Sequence, residues 1–185
     1  MVVHTLGHST LPLADFVQLL EGHALDAVID VRRFPASRRH PHFAREPLAA
    51  ALAARAITYA WLPALGGRRA PRPDSPHAAW RNASFRGYAD HMDGAEFHDG
   101  LAALLRLAEA RHAAIMCAEA VPWRCHRQLI ADVLVARGVE VRHVTGRGAA
   151  EPHRLTPFAR IDGARVVYDR GVPATLASRW RSDRP

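Results

Sequence analysis

The segment Ala113-Ala114-Ile115-Met116-Cys117-Ala118-Glu119-Ala120-Val121-Pro122-Trp123-Arg124-Cys125-His126-Arg127 decides how this chain is read. Its first five residues form an unbroken small and apolar run, the pattern of a strand buried on both faces. A polar connection follows. Leu129, Ile130, Val133 and Leu134 then recur at the spacing of one helical face, with Gly138 as the stop signal. A strand, a loop and a helix in so short a span make one parallel α/β unit. Its loop gathers Cys117, Glu119, Pro122, Arg124, Cys125, His126 and Arg127.

The same unit recurs towards the N-terminus. Residues 2–6 are a β-branched run, Gly7-His8-Ser9-Thr10 is a loop, and Leu13, Phe16, Val17 and Leu20 lie on one helical face. Residues 27–32 read as a buried strand with a charged end, followed by a basic loop over 33–42 and a helix over 45–55. A third strand is expected at 58–62, then a long loop rich in proline, glycine and arginine over 63–76. Helices are expected over 84–92 and 96–111, the second carrying Phe97, Leu101, Leu104, Leu105 and Ala108 inward. A fifth strand covers 139–144.

Strands alternating with helices predict an α/β fold: a mainly parallel, Rossmann-like sheet flanked by helices, with right-handed crossovers and a strand order that sequence does not reveal. Residues 1–145 read as the α/β domain carrying the site. Residues 146–185 read as a C-terminal extension: a linker over 146–151, then a β-hairpin appendage turning at Asp162-Gly163.

At 185 residues and 49% hydrophobic, the chain holds one substantial core. It has no membrane-length apolar run and begins as a strand rather than a signal peptide, so a cytoplasmic protein with no membrane partner is expected. Two cysteines are too few for a disulfide framework. In a reducing compartment they are catalytic, metal-binding or buried. The net charge is +7, and every basic residue is arginine because lysine is absent. Arginine forks match phosphate, so an anionic partner is expected, nucleic acid or nucleotide first. Biased coding-DNA composition yields the same arginine excess. The absence of lysine excludes side-chain Schiff-base chemistry.

In parallel sheets, ligands bind beyond the carboxyl ends of the strands, near helix N-termini. Three polar segments fall there: residues 7–10, 30–39 and 117–127. The candidate catalytic residues are Glu119 and His8 for proton transfer, with Cys125 and Cys117 as thiols. Cys125, read as the first residue of a helix among arginines, is expected to ionise early. Cys117 also reads as a small buried strand-end residue. Arg32 and Arg38 are the preferred anion contacts, with Ser9, Thr10, Ser37, Arg124, His126 and Arg127 beside them. The stretch Trp80-Arg81-Asn82-Ala83-Ser84-Phe85-Arg86-Gly87-Tyr88 interleaves aromatics with arginines. Arg86 and Tyr88 therefore join the binding set, as in a nucleic-acid groove; alternatively, Phe85 and Tyr88 anchor a short helix.

Two chemistries fit less well. A phosphatase-like loop counted from Cys117 places Trp123 where arginine belongs, with Arg124 one residue late. The zinc deaminase pattern needs its halves on successive helices, whereas here they share one loop. Zinc on His8, Cys117, Cys125 and His126 is disfavoured, and no cofactor is expected.

Five ordered motifs together resemble the bacterial and archaeal domain of unknown function 488 family. They are Thr5-Leu6-Gly7-His8-Ser9-Thr10; Asp30-Val31-Arg32 with Pro35, Ser37 and Arg38; Leu65-Gly66-Gly67-Arg68; Phe85-Arg86-Gly87-Tyr88; and Cys117-Ala118-Glu119 with Cys125-His126-Arg127. The resemblance covers most of the chain. It implies an α/β fold and enzymatic use of the strand-end motifs, but no substrate.

Three functions follow as expectations. The first is an enzyme on an anionic nucleic-acid or nucleotide substrate, of hydrolase or glycosylase type, with arginines on phosphate and Glu119 or His8 moving protons. The second is a thiol enzyme, sulfur carrier or redox sensor using Cys117 and Cys125. The third is a non-catalytic nucleic-acid binding module.

Overall fold

The computed structural model describes residues 1–36 and 39–169. The elements follow in the order β1 (Val2–Gly7), α1 (Leu13–Gly22), β2 (Ala27–Asp30), α2 (Arg45–Ala53), β3 (Thr58–Trp61), α3 (Ala83–Met92), α4 (Ala95–Ala110), β4 (Ala113–Cys117), α5 (Arg127–Ala136) and β5 (Glu140–Val144). Short strands β6 (Glu151–Pro152), β7 (Arg160–Asp162) and β8 (Arg165–Val167) complete it.

The main sheet runs β3-β2-β4-β1-β5-β6, and every pairing except the last is parallel. Alternation along each strand divides the core into two layers. Leu6, Val28, Ala114 and Met116 face α1 and α2, meeting Phe16, Leu20, Leu48 and Leu52. Val3, Ile29, Ile115 and Cys117 face the other way, onto α3, α4 and α5 through Tyr88, Leu101, Leu104 and Leu129. Burial on both faces explains why β4 is an uninterrupted apolar run and why β2 is apolar up to its terminal Asp30.

Three details depart from the sequence expectation. The linker over 146–151 ends in β6, an antiparallel edge strand on β5, where Glu151 pairs with His143. Two residues give no periodicity, so sequence cannot signal such a strand. The hairpin turns one residue later than expected: Asp162 pairs with Arg165, leaving Gly163 and Ala164 as the turn, and Gly163 carries the positive φ of 60°. Finally, α5 begins at Arg127, with His126 as its cap and Cys125 extended before it. The helix expected from Cys125 thus starts two residues later, because Cys125 closes the Pro122–Arg124 3-10 turn and His126 caps the helix.

The hairpin is separate from the main sheet but docked on it. Val166 and Tyr168 are buried in the same cluster as the sheet face, and Arg165 spans to Asp93 at 2.8 Å. The assigned extension runs past residue 169, and residues 170–185 lie outside the described part. Among the described residues, no helix is long and apolar enough to cross a membrane.

Candidate functional site

β2, β4 and β1 are neighbours, so the segments following them meet at one end of the sheet. They enclose a cavity of about 560 Å³ lined by His8, Ser9, Arg32, Cys117, Glu119, Arg124, Cys125, His126 and Tyr88, a size that suits a small-molecule or nucleotide ligand. The loops are held by the sheet's own hydrogen-bonding pattern continued past its ends. His8 N–H donates to the Cys117 carbonyl, Ser9 N–H to Ala118, and Val31 N–H to Met116. The close approach depends on Gly7, where a Cβ would overlap the Glu119 carbonyl. Two cavity residues other than glycine have left-handed backbones, Ser9 at φ 46° and Arg68 at φ 61°. Strain of that kind concentrates at functional sites.

The two cysteines lie at the cavity floor, both buried and both free. Arg127 Nε donates to the Cys125 sulfur at 3.4 Å, and His126 Nδ1 lies 3.6 Å from it. The other His126 nitrogen donates to the Val31 carbonyl at 3.1 Å, which aims Nδ1 at the sulfur. The Cys117 thiol, donating to Cys125, is the largest influence holding Cys125 well below the usual thiol range; His126 and Arg127 add to it and outweigh burial. The same hydrogen bond, with burial, pushes Cys117 up. Of the two, Cys125 is the sulfur that loses its proton more readily and Cys117 the one that holds it. Of the two influences expected at Cys125, a neighbouring arginine, Arg127, does act on it, together with Cys117 and His126, whereas Cys125 lies before the first helical turn.

Arg127 is 1% exposed and does not line the cavity. It donates to the carbonyls of Glu119 and Ala120, so it also holds the loop between the cysteines. Among the described residues it has no carboxylate within ion-pair distance.

Arg32 does reach the cavity, but as a paired charge. Its guanidinium grips Asp30 through Nε at 2.9 Å and Nη2 at 2.6 Å, and Tyr59 donates to the same carboxylate at 2.6 Å. His8 lies against it, with Arg32 Nη1 3.2 Å from His8 Nε2 and the Nδ1–H donated to the Ser9 carbonyl at 3.0 Å. Burial first, then Arg32, pushes the His8 pKa down to about 4. His8 is thus neutral near pH 7 with both nitrogens engaged, a wall rather than a proton carrier.

The remaining expected residues divide. Glu119 is exposed at the cavity and makes no ion pair among the described residues. Arg124 is exposed at the rim. Thr10 is exposed and Arg86 half-buried, and neither lines the cavity. Ser37 and Arg38 lie outside the described residues. Tyr88 is buried, donates to the Leu65 carbonyl at 2.7 Å and packs its ring on His126, centroids 4.9 Å apart. Trp80 turns onto Phe85, Phe158 and Tyr168. The aromatics of residues 80–88 thus largely anchor α3, which Asn82 caps by accepting from the Ser84 and Phe85 N–H groups.

Three rim residues were not singled out from sequence: Arg33, Phe34 and Arg68. Arg33 donates to the Arg68 carbonyl at 3.0 Å and covers the Phe34 ring. The motif Gly66-Gly67-Arg68 was the available signal. Gly67 passes so close to the His126 ring that a Cβ there would sit 2.9 Å from Nδ1.

A family model described as "Domain of unknown function DUF488" matches residues 12–134. The chain belongs to the DUF488 family. The match includes the Asp30–Arg32 and Cys117–Arg127 motifs of this DUF488 chain and begins just after the His8-Ser9-Thr10 loop. No curated protein and no solved structure matches it.

One donor cluster among the described residues has metal-like spacing: Cys117, Cys125 and His126, whose ligand atoms lie within 4.8 Å of one another. His8, packed on Phe43 and engaged with Arg32, is not part of it. The Arg127 guanidinium against Cys125 opposes a divalent cation at that point, and we assign no ion.

Proposed function

We propose that this protein is a thiol-dependent enzyme that acts on an anionic, nucleotide-sized substrate, with Cys125 as the nucleophile. The observation that carries this reading is the buried Arg127, which faces the Cys125 sulfur and has no carboxylate beside it among the described residues. A lone buried cation costs several kcal/mol (roughly, after relaxation). A thiolate at Cys125 offsets that cost, and the pair stabilises the reactive form of the thiol.

The substrate class follows from the rim. Arg33, Arg68 and Arg124 line the cavity with no carboxylate partner among the described residues. Phe34 and Trp123, 64% and 62% exposed, sit in the two loops that supply Arg33 and Arg124. Arginines for phosphate and exposed rings for stacking a base favour a nucleotide or a single-stranded nucleic-acid end.

In the reaction, the Cys125 sulfur bonds to an electrophilic carbon or phosphorus, and the leaving group departs with the proton shared between Cys125 and His126. Glu119 then takes a proton from water as the water displaces the sulfur, and that proton returns through solvent to the Cys125–His126 pair. The net change is hydrolysis. Both thiols must stay reduced, which suits the cytoplasm.

The test offers labelled mononucleotides and single-stranded DNA and RNA, including damaged bases, to wild type, Cys125→Ser and Glu119→Gln, followed by acid quench and mass spectrometry. An adduct on Cys125 that accumulates in Glu119→Gln and is absent from Cys125→Ser is expected. Undiminished turnover by Cys125→Ser would overturn the proposal.

A further inference from the structure

Behind Arg127 runs a line of buried polar side chains that the chemistry above does not use. Asp132 on α5 is fully buried and accepts four hydrogen bonds: from His153 Nε2 at 2.8 Å, the Thr156 amide at 3.0 Å, the Thr156 hydroxyl at 2.7 Å and the Tyr168 hydroxyl at 2.8 Å. A carboxylate offers about four lone-pair positions, so every one is filled by a donor. The direction of the remaining bonds follows from that. With its Nε2–H given to Asp132, His153 is placed to accept at Nδ1 from His143 Nε2, 2.9 Å away. His143 Nδ1 then accepts the Thr5 hydroxyl at 2.8 Å. The lone pairs of Thr5 Oγ1 are left for Arg127 Nη1 at 3.5 Å, while Arg127 Nε meets Cys125. Burial, then His153 and Arg127, pushes the His143 pKa down to about 4, consistent with a neutral ring in this line.

The line crosses the molecule from the hairpin to the cavity floor. Its members come from α5, the segment after β6, β5 and β1. A row of buried polar groups costs desolvation that an apolar set filling the same space would not. What polarity adds is direction, and the direction ends on the guanidinium at Cys125.

We propose that Asp132, His153, His143 and Thr5 form a positioning relay that holds the Arg127 guanidinium against the Cys125 sulfur, an inference that rests on the thiolate reading of the site. None of the four touches substrate. Their effect passes through Arg127 alone.

The test is the pH dependence of Cys125 alkylation by iodoacetamide, followed by peptide mass spectrometry on the full-length protein. Wild type, Thr5→Val and Thr5→Ser are compared. Valine keeps the shape and removes the hydroxyl; serine keeps the hydroxyl. The other groups facing Cys125 are unchanged in all three: Cys117 from β4, Tyr88 from α3, His126 at the cap of α5 and Arg127 from its first turn. The expected result is a midpoint about one pH unit higher in Thr5→Val, hence roughly tenfold slower alkylation below the midpoint, with Thr5→Ser like wild type. Circular dichroism reports folding; if Thr5→Val is unfolded, His153→Gln, which cuts the line beside Asp132, is read for the same shift. A normal wild-type midpoint would remove the thiolate reading itself. A lowered wild-type midpoint that Thr5→Val leaves in place, or that Thr5→Ser raises equally, would overturn the relay alone.

Discussion

Mild acid should destabilise this protein through its buried histidines. Burial pushes both His8 and His143 from 6.5 down to about 4, with Arg32 adding at His8, and His153 and Arg127 at His143. Both rings are almost inaccessible, at 3% and 7% exposure. In the unfolded chain each takes up a proton near its ordinary value; in the folded chain neither does until far lower. Stability is therefore complete above the ordinary value and falls progressively as pH descends towards the folded one. At about pH 5 each ring loses about 2 kcal/mol, or about 4 kcal/mol together, against a typical total of ~5–15 kcal/mol. His4, His77 and His91 are also lowered by burial and act in the same direction. Urea unfolding followed by tryptophan fluorescence at about pH 7.5 and about pH 5 measures the difference. His8→Gln keeps a polar group facing Arg32 but cannot titrate, so it should remove about half of the two-histidine loss. Equal stability at the two pH values, or an undiminished loss in His8→Gln, would refute the reasoning.

Further outcomes follow from single contacts. Gly7→Ala should cost at least about 1–3 kcal/mol in urea unfolding, because backbone meets backbone at the Glu119 carbonyl; a neutral result would mean that the loop moves freely. Tyr59→Phe removes a 2.6 Å hydrogen bond to the Asp30 carboxylate and should cost roughly 1.5–3 kcal/mol, with a loss under about 0.5 kcal/mol counting against a buried Asp30–Arg32–Tyr59 unit. Phe34→Ala and Trp123→Ala alter exposed rings, so stability should stay within about 0.5 kcal/mol. Nucleotide affinity, read by fluorescence titration, should fall roughly tenfold if the rings stack a base, and unchanged affinity would exclude that contact.

The fold was legible where one physical pattern dominated. Apolar runs at 27–29 and 113–117 marked doubly buried strands, and apolar residues spaced along one helical face marked α4 and α5. What escaped had no such signature. β6 is two residues long, and the start of α5 was hidden by a proline-led 3-10 turn with the same polarity as a helix end. At the site, strand-end logic brought His8, Arg32 and Glu119 to one cavity. The roles of individual charges were not readable, because they depend on partners far away in sequence. Arg32 is occupied by Asp30 and Tyr59. Arg127 points inward because its neighbours are the Glu119 carbonyl and Cys125. The relay from Thr5 to Asp132 joins residues over a hundred positions apart, beyond the reach of any local spacing.

The most direct measurement is a pH titration of thiolate ultraviolet absorbance in wild type, Cys125→Ser and Cys117→Ser. Thiolate should already be present in wild type at about pH 7, persist in Cys117→Ser, where a hydroxyl still donates, and vanish in Cys125→Ser. Absorbance that develops in wild type only near about pH 8.5, the ordinary thiol value, would contradict a thiolate paired with Arg127.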